Sequence, residues 1–291
     1  MASLILQHFF DSNSNTYSYV VYDSSTKDAV VIDPVLDFDL ASGCTSTEQA
    51  EQIVRWIKAR ELQLRYILET HVHADHLTAA PFIQQQCGGK TGIGSAITQV
   101  QSTFAKVFAL ESNFVCDGRQ FDLLLNDNAE LPLGNFSIKV MHTPGHTPAC
   151  VSYLMGDLLF VGDTLFMPDY GTARCDFPGG DAEVLYNSIQ RIFALPDHTK
   201  LLMCHDYGTK TRTEFAFETT VYAQKTQNIH VGAGKDQASF VQMRQQRDAT
   251  LSMPKLILPA VQVNMRAGHL PDPESNGISY LKLPLNFFCK K

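Results

Sequence analysis

The stretch LRYILETHVHADH, residues 64–76, joins a short apolar run to a segment with three histidines and two acids in eight positions. The run LRYILET has the length and residue types of a buried β-strand. Three imidazoles and a carboxylate in one loop would repel each other on protonation unless a cation or a dense hydrogen-bond network organised them. The stretch therefore predicts a strand whose C-terminal end carries a metal-binding loop.

Upstream of this strand, the chain predicts a hairpin and a helix. YSYVVYD (17–23) and DAVVIDP (28–34) are β-branched runs on either side of a polar turn, which is typical of an antiparallel hairpin. The hairpin ends on a loop that carries Asp33 and Pro34. TSTEQAEQIVRWIKARE (45–61) begins with capping residues and continues with apolar positions at helical spacing, so it predicts a helix.

Downstream, short apolar runs again alternate with amphipathic segments. Further strands are predicted at FSIKVMHT (136–143), VSYLMG (151–156), LLFVGDT (158–164) and KLLMCHD (200–206), and a helix at DAEVLYNSIQRIFAL (181–195). Residues 215–249 predict a mostly helical segment with a break near HVGAG, and residues 254–277 a tail punctuated by proline and glycine. The simplest organisation is one α/β domain over residues 1–291, with a C-terminal helical and loop extension from about residue 235.

Composition narrows the class of protein. The 291 residues are 44% hydrophobic, carry a formal net charge of −7 and contain no Lys/Arg block, which argues against nucleic-acid or anionic-membrane partners. No apolar run approaches a membrane span, and the N-terminus lacks the pattern of a signal peptide. The seven cysteines never form a CxxC pair, which favours reduced thiols. We therefore expect a cytoplasmic protein that acts on a small molecule.

Polar residues with metal-binding side chains follow four of the predicted strands. Ligands in α/β folds gather at strand ends, so these residues are expected to meet. Taken singly, Asp163 can be a turn residue and His205 a half-buried histidine, and His142 is interpreted as structural. The candidate ligands are His71, His73, Asp75, His76, His146, Asp163 and His205.

These motifs resemble those of the metallo-β-lactamase fold superfamily. THVHADH is similar to its first metal motif, PGHTP to its second histidine loop, GDT to its bridging aspartate loop and CHDYG to its last histidine. All four occur in the expected order between about residues 15 and 210. The resemblance implies an αββα sandwich of two mixed β-sheets flanked by helices, with a metal site at one edge.

A finer resemblance is to the persulfide dioxygenases, also called ETHE1-like sulfur dioxygenases. It rests on THVHADHLTAA, HTPGHTPACVSYL, ARCDFPGG and VNMRAG, with Cys175 where the family usually has threonine. The resemblance implies one Fe(II) per chain, held by His71, His146 and Asp163. It also implies oxidation of glutathione persulfide by O₂ and water to sulfite and glutathione, and a homo-oligomer of two or more chains.

The same resemblance gives the remaining residues secondary roles. His73, Asp75, His76 and His205 would orient ligands, hold water or tune acidity. Cys150 and Cys175 are expected to be packing residues, because no nearby cation motif marks either thiol as activated. The glutathione carboxylates require cations and hydrogen-bond donors, for which the candidates by position are Arg174, Tyr207, Lys210, Arg212 and Arg266.

Two alternatives remain open at this point. A dinuclear zinc hydrolase of glutathione thioesters, resembling glyoxalase II, would use His71, His73 and His146 for one metal. It would place Asp75, His76 and His205 on the other, with Asp163 as the bridge. A non-enzymatic sulfide or iron sensor could use the same pocket for binding alone, and turnover would exclude it.

Overall fold

The computed structural model describes residues 2–288, so Cys289 lies outside the described residues. The strands are β1 Leu4–Asp11, β2 Thr16–Asp23, β3 Asp28–Ile32, β4 Val35–Asp39, β5 Cys44–Ser46, β6 Gln63–Leu68, β7 Leu77–Thr78, β8 Lys90–Gly94, β9 Leu123–Leu125, β10 Glu130–Leu133, β11 Phe136–His142, β12 Val151–Met155, β13 Leu158–Phe160, β14 Lys200–Leu202 and β15 Glu218–Thr220. The helices are α1 Glu48–Ala59, α2 Ala80–Cys87, α3 Ile97–Val107, α4 Ala182–Phe193, α5 Val221–Gln227, α6 Gln237–Asp248 and α7 Ile257–Asn264.

Two six-stranded mixed sheets form the centre of the molecule. The first has the order β1-β2-β3-β6-β8-β9, antiparallel through β3 and parallel from β3 to β9. The second has the order β10-β11-β12-β13-β14-β15 and is antiparallel except for the β13–β14 pair. A small third sheet joins β5, β4 and β7. The prediction of two mixed sheets flanked by helices is confirmed.

The largest core lies between the two sheets. It joins side chains of β2 and β3, such as Tyr19 and Ile32, to side chains of β11 and β12, such as Val140 and Tyr153. A second apolar cluster packs α1 and α2 on the outer face of the first sheet, and a third packs α4 on the outer face of the second. Both faces of each sheet are therefore covered, so successive side chains of a central strand are all buried. This explains the near-continuous apolar runs in the sequence.

Most predicted elements appear where the sequence placed them, but the C-terminal part differs. FETT contributes the short strand β15, which pairs with β14, instead of continuing a helix. The segment predicted as a tail contains α7. Pro259 lies in the first turn of α7, where its missing N–H costs no intrahelical bond, so its presence misled the prediction. Among residues 2–288, no helix combines the length and apolar character needed to cross a lipid bilayer.

The four ligand-bearing segments all leave their strands at the same edge of the sandwich. Residues 69–76 follow β6, and His146 lies in the connection between β11 and β12. Asp163 lies in a 3-10 turn, Gly162–Thr164, directly after β13, and His205 follows β14. Because β6 belongs to the first sheet and the others to the second, the site is built across the seam between the sheets.

Candidate metal centre

His71, His146 and Asp163 form the first ligand set. The Oδ2 atom of Asp163 lies 3.8 Å from Nε2 of His71 and 3.8 Å from Nε2 of His146. The two imidazole rings are nearly perpendicular, with centroids 5.3 Å apart. All three side chains are buried, and their ligand atoms form one compact cluster. Two imidazole nitrogens and one carboxylate oxygen thus converge on a single point.

The hydrogen bond of His71 fixes which of its nitrogens carries the proton. Thr70 Oγ1 donates to Asp33 Oδ2 at 2.8 Å, so the hydroxyl has no hydrogen left to give and accepts from Nδ1 of His71 at 3.0 Å. Burial, followed by the neighbouring histidines, lowers the pKa of His71 well below its ordinary value. His71 is therefore a neutral imidazole whose Nε2 lone pair faces Asp163, as metal ligation requires.

His146 is held by a backbone carbonyl instead of a side-chain hydroxyl. Its Nδ1 lies 2.8 Å from the carbonyl oxygen of Arg174, and a carbonyl can only accept, so Nδ1 is protonated. Nε2 then offers its lone pair toward Asp163. This kind of acceptor on the far nitrogen is typical of metal-binding histidines and fixes both the tautomer and the orientation of the ring.

Asp75, His76 and His205 form the second ligand set on the other side of Asp163. The Nε2 atom of His205 lies 3.3 Å from Asp163 Oδ1 and 3.6 Å from Asp75 Oδ2. Nδ1 of His205 lies 3.2 Å from Thr16 Oγ1, and Nδ1 of His76 lies 3.3 Å from Asp75 Oδ2. Asp163 therefore turns one carboxylate oxygen toward each ligand set.

His73 is held by acids beneath the site. Its Nε2 lies 3.0 Å from Asp33 Oδ1 and 3.3 Å from Glu69 Oε2. Burial disfavours the imidazolium, yet the Asp33 charge and the hydrogen bonds to Asp33 and Glu69 raise the pKa of His73 well above its ordinary value. Its ring lies between those of His71 and His76, at centroid distances of 4.1 and 4.2 Å.

Unsatisfied polar atoms mark the centre as a place for a cation. Buried atoms without a hydrogen-bond partner among the described residues are costly, and here they cluster on facing side chains. Imidazole nitrogens and a carboxylate suit iron or zinc. The atoms at the centre are His71 Nε2, His73 Nδ1, His76 Nε2, Asp163 Oδ1 and His205 Nε2. The residues thus fit a bound metal ion.

A cavity of about 630 Å³ opens onto the first ligand set. His146, Asp163 and Asp75 lie in its wall beside the aromatic residues Phe166, Tyr170, Phe177 and Tyr207. Burial of the phenol, with the charges of Asp75 and Asp163, raises the pKa of Tyr207, so its hydroxyl stays protonated and can donate. The cavity is large enough for a tripeptide-sized ligand to reach the metal site.

The predicted substrate-binding residues lie in different surroundings. Arg174 and Tyr207 line the cavity, whereas Lys210, Arg212 and Arg266 do not. Arg174 forms a bidentate ion pair with Asp176 and donates to the carbonyl of Ser252, so its guanidinium is already engaged.

The cations outside the cavity have other contacts. Arg212 is paired with Asp169 and Asp206, and Arg266 is paired with Glu111. Lys210 is exposed. Of the predicted cations, the structure brings only Arg174 to the metal site, and there its backbone carbonyl holds His146.

Sequence reasoning missed several residues of the site. Asp33, Glu69 and Thr70 hold the imidazoles from below, and Asn264 bonds to the backbone of the metal-binding loop. Arg247 and Lys255 are exposed cations in the cavity wall that form no ion pair within residues 2–288. Asp33 offered a signal, because it ends a hairpin strand at the same edge as the histidines.

The two cysteines near this edge are buried thiols. Cys150 Sγ accepts from the backbone N–H of Thr147 at 3.3 Å, and burial raises the pKa of Cys150 to about 12. Burial, with the Asp248 charge, also raises the pKa of Cys175. Neither group is a thiolate at neutral pH, and thiols in this state are inert. Neither thiol lines the cavity at the metal site, and the six described cysteines are all free.

Comparison with known proteins agrees with this geometry. The family model described as the metallo-beta-lactamase superfamily matches residues 12–205. The chain is 50% identical to a probable metallo-hydrolase of Burkholderia pseudomallei, over 97% of this chain and 99% of that protein. It is 30% identical to the mitochondrial persulfide dioxygenase ETHE1 of Homo sapiens, over 92% and 90%. The crystal structure of ETHE1 from Myxococcus xanthus matches with a TM-score of 0.72 and 31% identity, covering 91% of this chain and 100% of that chain.

Proposed function

This chain belongs to the metallo-beta-lactamase superfamily, and from that premise we propose that it is a persulfide dioxygenase with one Fe(II) per chain. The proposed substrates are glutathione persulfide, O₂ and water, and the products are sulfite and glutathione. The outer persulfide sulfur is oxidised and O₂ is reduced, and both atoms of O₂ and the water oxygen end in sulfite. The similarity to ETHE1 proteins over nine-tenths of the chain supports this reaction class.

One observation carries the proposal. The metal-facing atoms of His71, His146 and Asp163 form their own compact cluster, whereas His73 groups with Asp75 and His76 and with Cys204 and His205. Two histidines and one carboxylate on one face of an iron ion leave three positions for substrates. Bound Fe(II) would supply the redox chemistry that allows O₂ to react with a persulfide sulfur. The histidine–carboxylate geometry therefore supports an iron site better than a closed structural site.

The residues of the cavity have separate tasks in this proposal. Arg247 and Lys255, as unpaired cations at the wall, would bind the two carboxylates of glutathione. Phe166 and Phe177 would exclude bulk water from the sulfur. The neighbouring His205 and His76 outweigh burial and lower the pKa of Asp75, so as a carboxylate it can accept a hydrogen bond from the reacting water.

The test is O₂ uptake after addition of glutathione persulfide to protein reconstituted anaerobically with Fe(II). Zinc-loaded protein is the matched control, because zinc has no accessible redox change. We expect O₂ uptake and sulfite formation with iron and neither with zinc. Iron-loaded protein that consumes no O₂ would reject the glutathione persulfide assignment.

A second candidate function is hydrolysis of a glutathione thioester at two metal ions. It is favoured by the second ligand set, whose His76 and His205 each keep a buried Nε2 without a partner, and by the similarity to a probable metallo-hydrolase. The reaction would require His73 to ligate through Nδ1 and Asp163 to bridge the metals. Two metal ions per chain, with release of thiol from S-D-lactoylglutathione, would favour the hydrolase.

Three further expectations remain predictions of the sequence. The pattern of reduced cysteines favours a cytoplasmic location, and the resemblance to persulfide dioxygenases favours a homo-oligomer. The single domain over residues 1–291, with its extension from about residue 235, is likewise a prediction.

A further inference from the structure

Asn264, the last residue of α7, lies against the backbone of the metal-binding loop although it is 191 positions away from His73. Its side-chain Nδ2 donates to the carbonyl oxygens of His73 at 2.9 Å and His76 at 2.8 Å. Its Oδ1 accepts from the backbone N–H of Thr78 at 2.9 Å. The side chain is buried, so one amide group satisfies three backbone groups of a single segment away from solvent.

The bonded segment needs such support because it has little regular structure of its own. Residues 69–76 run between β6 and β7 without belonging to a strand, and β7 contains two residues. His71, Asp75 and His76 all project from this segment. A displacement of its backbone would therefore move ligands of both sets together.

Asn264 is itself held on a fixed support. Ala260 and Val263 of α7 form a buried apolar cluster with Leu77 of β7. The carbonyl of Met265 accepts a hydrogen bond from Gln101 of α3. Gly268 packs closely against Thr78, and a Cβ atom added at Gly268 would lie only 2.9 Å from Cγ2 of Thr78. These contacts hold the end of α7, and with it Asn264, beside the loop.

We propose that Asn264 is a positioning residue for the metal centre: by bonding to the backbone at His73, His76 and Thr78, it holds the loop that carries His71, Asp75 and His76. The inference rests on the proposed metal site and not on the reaction that takes place there. Asn264 lies outside residues 12–205, so the C-terminal extension completes the metal centre mechanically without supplying a ligand.

Gln262 provides a matched control on the same helix. It is also buried, and its Nε2 donates to the carbonyls of Leu258 and Lys282 while its Oε1 accepts from the N–H of Lys282. Asn264→Leu and Gln262→Met each remove an amide that makes three hydrogen bonds, and neither introduces a charge. Only the first removes bonds to the metal-binding loop.

The experiment measures Co(II) binding to both variants and to the parent protein, by competition with a chromophoric chelator and by the visible spectrum of bound Co(II). Thermal unfolding of the metal-free proteins reports their stability. We expect N264L to raise the Co(II) dissociation constant about ten- to a hundredfold and to alter the spectrum. We expect Q262M to lose comparable thermal stability while its Co(II) affinity and spectrum stay at the parent values.

Equal Co(II) affinities in N264L and the parent protein, or equal losses in N264L and Q262M, would overturn the inference. If N264L does not accumulate as folded protein, Asn264→Ser replaces it, because its short hydroxyl cannot reach all three backbone groups, and the same comparison decides. Co(II) binding is measured without persulfide or O₂. Failure of persulfide oxidation would therefore reject the proposed function and leave this result unaffected.

Discussion

The two ligand sets share Asp163 but differ in how firmly their histidines are held. In the first set, the Nδ1 atoms of His71 and His146 each have a single acceptor, at 3.0 and 2.8 Å. In the second set, Nδ1 of His76 lies 3.4 Å from Thr16 Oγ1 and 3.3 Å from Asp75 Oδ2. Nδ1 of His205 lies 3.2 Å from the same hydroxyl and 3.3 Å from the carbonyl oxygen of Asn15. Short hydrogen bonds of the first kind hold a ring more firmly than the longer contacts of the second kind.

This difference indicates which ligand set is already ordered before a metal ion binds. The first set offers two lone pairs and a carboxylate in fixed positions, so binding there costs little reorganisation. These longer contacts, each divided between two acceptors, hold the imidazoles of the second set less firmly, so this set would order more on binding. The comparison favours one tightly bound ion at the first set, with the second set available for water or for a weaker ion.

The largest effect is expected from Asp163→Ala, because Asp163 faces both sets. Removing its carboxylate takes one of three ligands from the first set and the link to the second. We expect metal content below one-tenth of the parent and no O₂ uptake, as a complete set is needed for both. Metal analysis after dialysis measures the loss, and Asp197→Ala, at an exposed ion pair with Lys225, is the control. If the Asp163→Ala protein retained its iron, Asp163 would not be a metal ligand and the two sets would not share it.

Asp75→Asn separates the two sets without changing the shape of the side chain. We expect one iron per chain to remain, because Asp75 is not part of the first set, while kcat falls by about two orders of magnitude through loss of a group that handles the reacting water. Iron stoichiometry and O₂ uptake are measured on the same sample. If the parent protein binds two metal ions and the variant loses one, the result would favour the hydrolase as the function of this protein.

A matched pair of threonine variants probes the hydrogen bonds that distinguish the sets. Thr70→Val removes the acceptor of His71 and a donor to Asp33, so we expect the iron dissociation constant to rise about ten- to a hundredfold. Thr16→Val removes the longer contacts to His76 and His205, together with the contacts of the same hydroxyl to Ser14 and Asp75. Its effect on the first ion should be smaller, and chelator competition measures both. Equal effects on the dissociation constant would mean that the histidines of the two sets are held equally firmly before a metal binds.

The sequence predicted the fold correctly because its strands and helices follow from local patterns, and the same patterns pointed to the candidate ligands. Alternating apolar runs fixed the strands, and His71, His146, Asp163 and His205 each follow a run at the edge where the strands end. A cluster of histidines has few purely structural explanations, so the residue types alone predicted a metal site.

The supporting residues could not be predicted, for physical reasons. Arg174 acts on His146 through its backbone carbonyl, which every residue type possesses, so the sequence drew attention to the guanidinium instead. Asn264 meets His73 across 191 positions, and no local pattern records such a contact. The sequence did not point to Arg247 and Lys255 for a similar reason, because these cavity residues come from α6 and the segment after it, far along the chain from the histidine motifs.

The smallest expected effect concerns those cations and compares Lys255→Ala with Lys210→Ala. Both lysines are exposed, but only Lys255 lines the cavity that opens onto the first ligand set. An exposed ion pair contributes about 0.2–1 kcal/mol, so Lys255→Ala should raise the KM for glutathione persulfide about two- to fivefold with kcat unchanged. Added salt should reduce the difference, because it screens exposed charges. A larger KM change in Lys210→Ala would place the glutathione carboxylates beside the loop after His205, on the side of the second ligand set, and would require the substrate to approach the metal from there.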